Sequence, residues 1–229
     1  MQRVRRAGSA ALALVLAMGL TGVPAAHSSK AAGVVLAASV AWPPSSLVVS
    51  EVQTGGSSAS DEFVEVANQG VGPVDLIGIE VVYATSSGST VTRKATWAAS
   101  FILAAGRRVL LTNAAGSLAG AGDISYTGGF AATGGAVALR VVGGPVIDAI
   151  GWGDATNPFV EGTVAAAPPA GSSLERRPGG SAGNGIDTND NNADWVVVAV
   201  PGPQSSSAPP VPEPGPTPTP MPDPTPTPT

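Results

Sequence analysis

An all-β fold is what this sequence predicts, and three observations predict it. Short runs rich in Val and Ile recur through the middle of the chain, and clusters of Gly, Ser, Asn and Pro separate them. Beyond the N-terminal apolar run, no stretch of about ten or more residues carries a sustained helical stripe with caps. Many short strands with regular turn signals imply a sandwich or a barrel.

Taken in order, the runs are "LVVSEVQ", "DEFVEVAN", "VDLIGIEVVYAT", "TVTRKATW", "RRVLLTN", "GAVALRVV", "PVIDAIGW" and "DWVVVAV". In "DEFVEVAN" side chains alternate, so Val64 and Val66 point one way and Phe63 and Glu65 the other. Two hairpins are legible. One joins "AVALRVV" to "PVIDAIG" through Gly143 and Gly144, residues that tolerate positive φ in a tight turn. The other joins "EVVYAT" to "TVTRKAT" through a loop that holds Gly88.

The ends differ from the middle. "MQRVRR" is cationic, "AGSAALALVLAMGLTGV" is uncharged and mostly apolar, and "PAAHSS" is small. That order is a secretory signal peptide, and its apolar part is short for a permanent span. Cleavage is expected after Ala25 or Ala26, with "AAGVVLAASVA" leaving the exact bond open. The organisation read from the chain is a signal peptide over 1–26, a flexible segment over 27–45, one β domain over 46–204 and a Pro/Thr-rich linker or tail over 205–229. That last part cannot form a packed core, because Pro removes donors and large apolar residues are missing. It is expected to remain disordered, sampling extended polyproline conformations at about 3.1 Å per residue.

Composition narrows the function classes. Without Cys the exported domain has no disulfides and must hold itself together by its core. A domain of about 150 residues buries roughly 68–70% of its unfolded surface, enough for that. The net charge of −5 includes Arg3, Arg5 and Arg6; without them 8 basic residues face 16 acidic ones, giving −8. Such a protein is a poor general binder of nucleic acid or anionic membranes.

Several segments, in order, resemble the lamin-tail domain in its bacterial secreted form. "VVSEVQ" is similar to the family's opening Ser-Glu strand, and "DEFVEVANQG" to its Glu-Phe/Trp-Val-Glu-Leu…Asn run. "VDLIGIEV" resembles the Val-Asp-Leu-x-Gly-Trp segment with Ile79 in place of Trp, and "LAAGRRVLLTN" the following turn and strand with Ala105 in place of Pro. "GGAVALR", "VIDAIGWG", "GSSLERRP" and "DTNDNNADWVVVAVPGPQ" resemble the later signatures. The resemblance implies an immunoglobulin-like β-sandwich that acts as a non-catalytic interaction module at the cell surface or outside the cell. It supplies no catalytic residues and no cofactor. The partner it implies is a protein or cell-surface component. In bacteria such domains accompany secreted hydrolases, so an accessory part of a nuclease or phosphoesterase stays open, as does a carbohydrate-binding module.

The residues that carry chemistry support the non-enzyme reading. The only histidine, His27, lies beside the cleavage site, so a Ser-His-Asp apparatus and an imidazole zinc site have no imidazole in the domain. Lys94 is read as snorkelling from an exposed strand. Glu51, Glu62 and Glu65 are close enough in sequence for paired carboxylates, against the plainer reading of acids facing water or hydrogen-bonded to turns. Arg107–Arg108 and Arg176–Arg177 read as solvated or paired with acids. "GGSAGNG" lacks the Gly-Lys-Ser/Thr of a phosphate loop. Trp152 and Trp195 are placed in the core, where sugar stacking is denied to them. The stretch "GIDTNDNNADW" sets Asp187, Asn189 and Asn191 at positions 1, 3 and 5 of a calcium loop. Position 6 is then Asn192 rather than Gly and position 12 is Val198, so the bidentate carboxylate is missing and a polar turn is preferred.

Overall fold

The computed structural model describes residues 42–43 and 45–211. The expected signal peptide, most of the segment over 27–45 and the last part of the Pro/Thr-rich run lie outside them. The described chain forms β1 (Leu47–Thr54), β2 (Glu62–Asn68), β3 (Val74–Asp75), β4 (Ile79–Thr85), β5 (Val91–Thr96), β6 (Ile102–Leu103), β7 (Arg108–Asn113) and β8 (Ile124–Tyr126). After these come β9 (Gly134–Val141), β10 (Val146–Gly153), β11 (Ser173–Arg176), the single helical turn α1 (Asn191–Asp194) and β12 (Trp195–Val198). No helix among the described residues is long and apolar enough to cross a membrane.

Two sheets face each other as an immunoglobulin-like β-sandwich. One has the order β12-β11-β1-β2-β7-β8, the other β10-β9-β4-β5, and β3-β6 forms a small ribbon beside them. All pairings are antiparallel except β7 with β8. The alternation expected for "DEFVEVAN" holds. Val64 and Val66 enter the core with Val49, Val52, Leu111 and Leu174, opposite Val81, Tyr83, Val137, Leu139, Ile150 and Trp152. Complete burial of each such side chain contributes about 1.5–3 kcal/mol.

Both expected hairpins form. β9 and β10 join through Gly143, whose φ of 66° is a left-handed conformation that costs glycine nothing. β4 and β5 join through the Gly88 loop, with Thr85 N–H donating to Thr90 O at 3.0 Å. The run "VDLIGIEVVYAT" divides, because a turn at residues 76–78 buries Leu76 and separates β3 from β4.

The packed chain continues past Gln204. Residues 200–211 run transverse to the strands as a strap over the outer face of the six-stranded sheet. Gly202 N–H donates to Glu51 on β1 at 3.2 Å and Gln204 N–H to Glu65 on β2 at 2.7 Å. Ser206 N–H donates to Asp123, just before β8, at 2.8 Å, and Val211 N–H to Gly106 O at 2.8 Å. Phe63 and Leu110, on the face opposite the core, are also buried.

Candidate functional site

Three buried polar centres hold most of the ionisable groups singled out by the sequence. The first lies in the loop before β12. Asn191, fully buried, lies along the edge of β10: its Oδ1 accepts from Gly151 N–H at 2.8 Å and its Nδ2 donates to Ala149 O at 3.2 Å. The side-chain amide thus does for an edge strand what a neighbouring backbone would do. Asn189 adopts φ 56° and its Oδ1 accepts from Trp42 N–H at 2.5 Å. Asp187 Oδ1 accepts from Asn189 N–H at 3.2 Å, Asp190 caps α1, and Asp194 accepts from both N–H and Oγ1 of Thr188 at 2.7 Å. The three calcium candidates therefore serve separate partners: a self-bonded turn, the N-terminal segment and a sheet edge.

A different carboxylate group does converge. Asp148, Glu161 and Asp187 offer oxygens within 4.8 Å of one another. The guanidinium of Arg176 is the cation beside them. Its Nη2 lies 2.6 and 2.8 Å from the two oxygens of Asp148, and its Nη1 3.5 Å from Asp187. Nε donates to Val49 O at 2.9 Å, and the Trp195 ring stacks 4.8 Å from Cζ. Burial pushes the Asp148 and Glu161 carboxyls up, with Arg176 opposing the rise at both. A buried acid raised in this way favours its neutral form, a poor ligand for a divalent cation. Arg176, read from sequence as solvated or paired, is wholly buried and paired.

The second centre lies under the strap. Glu51 and Glu65 are register partners on β1 and β2, and both are buried. Of the two readings given for these acids, facing water is overturned and hydrogen bonding to irregular chain is what occurs, because the sheet's outer face is roofed by the strap. Glu65 accepts from Ser50 Oγ at 2.7 Å and from Gln204 N–H, and Arg108 Nε lies 2.7 Å away as its counter-ion. Burial raises its carboxyl to about 7 against the pull of Arg108, and burial raises Glu51 too. Beside the strap a shallow cleft of about 280 Å³ opens past Gln53, Ser57 and Pro203. Its one acid, Asp61, is held below its ordinary range by the backbone N–H groups of Ser117 and Ser58.

The third centre sits inside one end of the sandwich. Glu62 shares the inward face of β2 with Val64, so the trio Glu51, Glu62 and Glu65 is divided between the two sides of the sheet. Glu62 Oε2 accepts from Asn113 Nδ2 at 2.8 Å and its Oε1 from Phe130 N–H at 2.6 Å. Lys94 also points inward, only 7% exposed, which corrects the snorkelling reading. Its Nζ donates to Thr127 O at 3.2 Å, Gly128 O at 2.9 Å and Gly129 O at 3.4 Å. The rings of Tyr126, Phe130 and Tyr83 lie 5.1, 5.2 and 5.7 Å from it.

The model of the Lamin Tail Domain family matches residues 41–154 of this chain. The chain carries a lamin tail domain. No curated protein matches it. Among solved structures, the chain is similar to a crystal structure of a DUF4876 family protein from Bacteroides thetaiotaomicron. That likeness has 12% identity, 66% of this chain and 70% of the other covered, and a TM-score of 0.47.

The lamin tail domain match takes in Glu51, Glu62, Glu65, Lys94, Arg108, Asn113 and Asp148. Glu161, Arg176, Asn191 and the strap lie past it. Sequence reasoning missed Asp148, Glu161 and Asn113 as members of these centres. A usable signal was present for two of them: Asp148 interrupts the apolar run "PVIDAIGW", and Asn113 ends "RRVLLTN" where a strand enters the core. Three tryptophans of the domain (Trp97, Trp152 and Trp195) are buried at 6%, 0% and 3%, which removes their faces from sugar stacking.

Proposed function

We propose that this lamin tail domain protein is an exported, non-catalytic module that binds or positions a partner at the cell surface. The observation that carries the reading is the strap. A chain that leaves the sandwich by crossing its sheet, held by Glu51, Glu65, Asp123 and Gly106, delivers the Pro/Thr-rich run to a fixed point on the domain. A rigid exit is what a positioning module requires. Export is supported by the basic, apolar and small order of the first residues.

The absence of turnover in the proposal has its own support. The Glu51, Glu62 and Glu65 carboxylates are each bound by two or more donors, and only two of them share a face of the sheet. General base chemistry near neutrality is most readily run by histidine, and the domain contains none.

The test uses the mature full-length protein, fluorescently labelled, on intact cells of its own source and on the same cells stripped of surface protein and glycan. Saturable binding to intact cells, with no hydrolysis of phosphodiester, phosphomonoester or glycoside substrates, is the expected outcome. Turnover that survives purification and disappears in Glu51→Gln or Glu65→Gln overturns the non-catalytic reading.

A further inference from the structure

We propose that Lys94 and Asn113 become joined by an intramolecular amide bond, with Glu62 as the proton carrier, so that the two sheets of the sandwich are covalently tied. The three side chains come from three strands: β5 in one sheet, and β2 and β7 in the other. All are buried, Lys94 at 7%, Asn113 at 4% and Glu62 at 1% exposed.

The geometry brings the three groups of the reaction to one place. Gly128 O accepts from Lys94 Nζ at 2.9 Å and from Asn113 Nδ2 at 3.5 Å, so amine and carboxamide flank a single atom. Glu62 Oε2 is 2.8 Å from Asn113 Nδ2, the nitrogen that must leave. Ala115 N–H donates to Asn113 Oδ1 at 3.1 Å, the oxygen on which negative charge develops during attack. The close approach depends on small residues: a Cβ at Gly129 would lie 3.1 Å from Glu62 Oε1, and one at Gly128 3.5 Å from Nζ.

Burial biases both groups toward the reactive protonation states, against the three carbonyls and three rings that favour the ammonium. Burial lowers the Lys94 ammonium below its ordinary value, with Glu62 opposing, and burial raises the Glu62 carboxyl. Three packed aromatic rings within 5.7 Å help to keep water from the amine. A proton passed from Lys94 to Glu62 leaves a neutral amine and a carboxylic acid, the pairing that a desolvated site prefers to two ions.

The step balances without any outside reagent. The Nζ lone pair attacks Asn113 Cγ and forms the new C–N bond. Glu62 gives its proton to Nδ2, the Cγ–Nδ2 bond breaks and ammonia leaves. Glu62 then takes the surplus proton from Nζ and ends as it began. Amine plus carboxamide becomes secondary amide plus ammonia, with nothing oxidised or reduced. Holding the groups in place replaces the collision that makes this reaction slow in free solution.

A chain without cysteine has no disulfide with which to bridge its sheets, and this bond would take that place. The test is a tryptic digest of the mature full-length protein, read by mass spectrometry. Expected is one joined species of residues 94–107 and 109–140, uncut after Lys94 and lighter than its two parts together by one ammonia. Lys94→Arg and Glu62→Gln should each return separate, linear peptides. Linear wild-type peptides, with Lys94 cut and Asn113 unaltered or hydrolysed to aspartate, overturn the proposal, as does a Glu62→Gln protein that is still joined. If Glu62→Gln fails to fold, the wild-type digest decides the matter alone.

Discussion

Glu51 and Glu65 stand opposite one another on β1 and β2, two carboxylates on one face of one sheet, and backbone N–H groups of the strap reach both. Like charges in register are unfavourable in a sheet. Here Arg108 and the hydroxyls of Ser50 and Ser173 offset that repulsion.

Arg108 is therefore the residue whose loss this face tolerates least. Arg108→Met leaves Glu65 buried without its counter-ion and should cost up to about 3–5 kcal/mol in urea unfolding above pH 7, where Glu65 is ionised, and less at pH 5. Arg108→Met combined with Glu65→Met should recover much of that loss. A double variant no more stable than the single one would mean that the pair is not what holds the strap in place.

Stability should rise as the solution becomes mildly acidic. The Glu65 carboxyl is about 7 in the fold against an ordinary 4.5, so the native state holds a proton that the unfolded chain releases. Its contribution is complete below the unfolded value and is lost as pH rises through 7. Glu51, Asp148 and Glu161, all raised by burial, act in the same direction. Asp61 and Asp75 act oppositely at lower pH, held down by hydrogen bonds that protonation removes. So does Glu80, where burial works the other way but Arg93 and Arg140 outweigh it. The melting temperature should therefore peak near about pH 5 and fall toward pH 9 and pH 3. A flat profile between pH 5 and pH 9 would contradict the buried positions of these acids.

Calcium should leave the melting curve unchanged. Asp187, Asn189 and Asn191 have separate backbone partners, and Arg176 already pairs with Asp148 and Asp187, two of the three acids that do converge. A ligand that binds only the native state raises its melting temperature by mass action. A rise of several degrees in millimolar calcium, abolished by Asp187→Ala, would show a bound cation.

Asn191→Ala should destabilise the fold even though the residue lies in a loop. Gly151 N–H and Ala149 O on β10 lose their partner, at about 1–3 kcal/mol for each buried group left unsatisfied. Amide exchange at Gly151 should speed up more than exchange at Leu139 on the neighbouring strand. Equal changes at both would argue for a global effect in place of an opened edge.

The strands and the core were legible because alternation is local: reading Val64 and Val66 against Phe63 and Glu65 needs only consecutive letters. What the outer face meets was not. Glu65 is covered by Gln204, 139 residues away, and no pattern within "DEFVEVAN" announces a roof. Lys94 was misplaced for a related reason. The β4–β5 pairing shifts register between Val81 and Val82, so Arg93 reaches Glu80 while Lys94 turns inward, and a strict period of two misses the slip. Asn191, read as part of a polar turn, opens α1, and its service to β10 arises from a contact about forty residues back in the chain.

The strap also decides how the domain meets a mechanical load. A pull on the chain beyond Val211 does not act on the sandwich all at once. It reaches Gly106 first, then Asp123, then Glu65, then Glu51, and only afterwards the β11–β12 pairing. The attachments yield one by one, as a zipper does, each lengthening the chain before the next is stressed. The crossing therefore keeps the exit of the chain in place and takes up the load before the hydrophobic interior does.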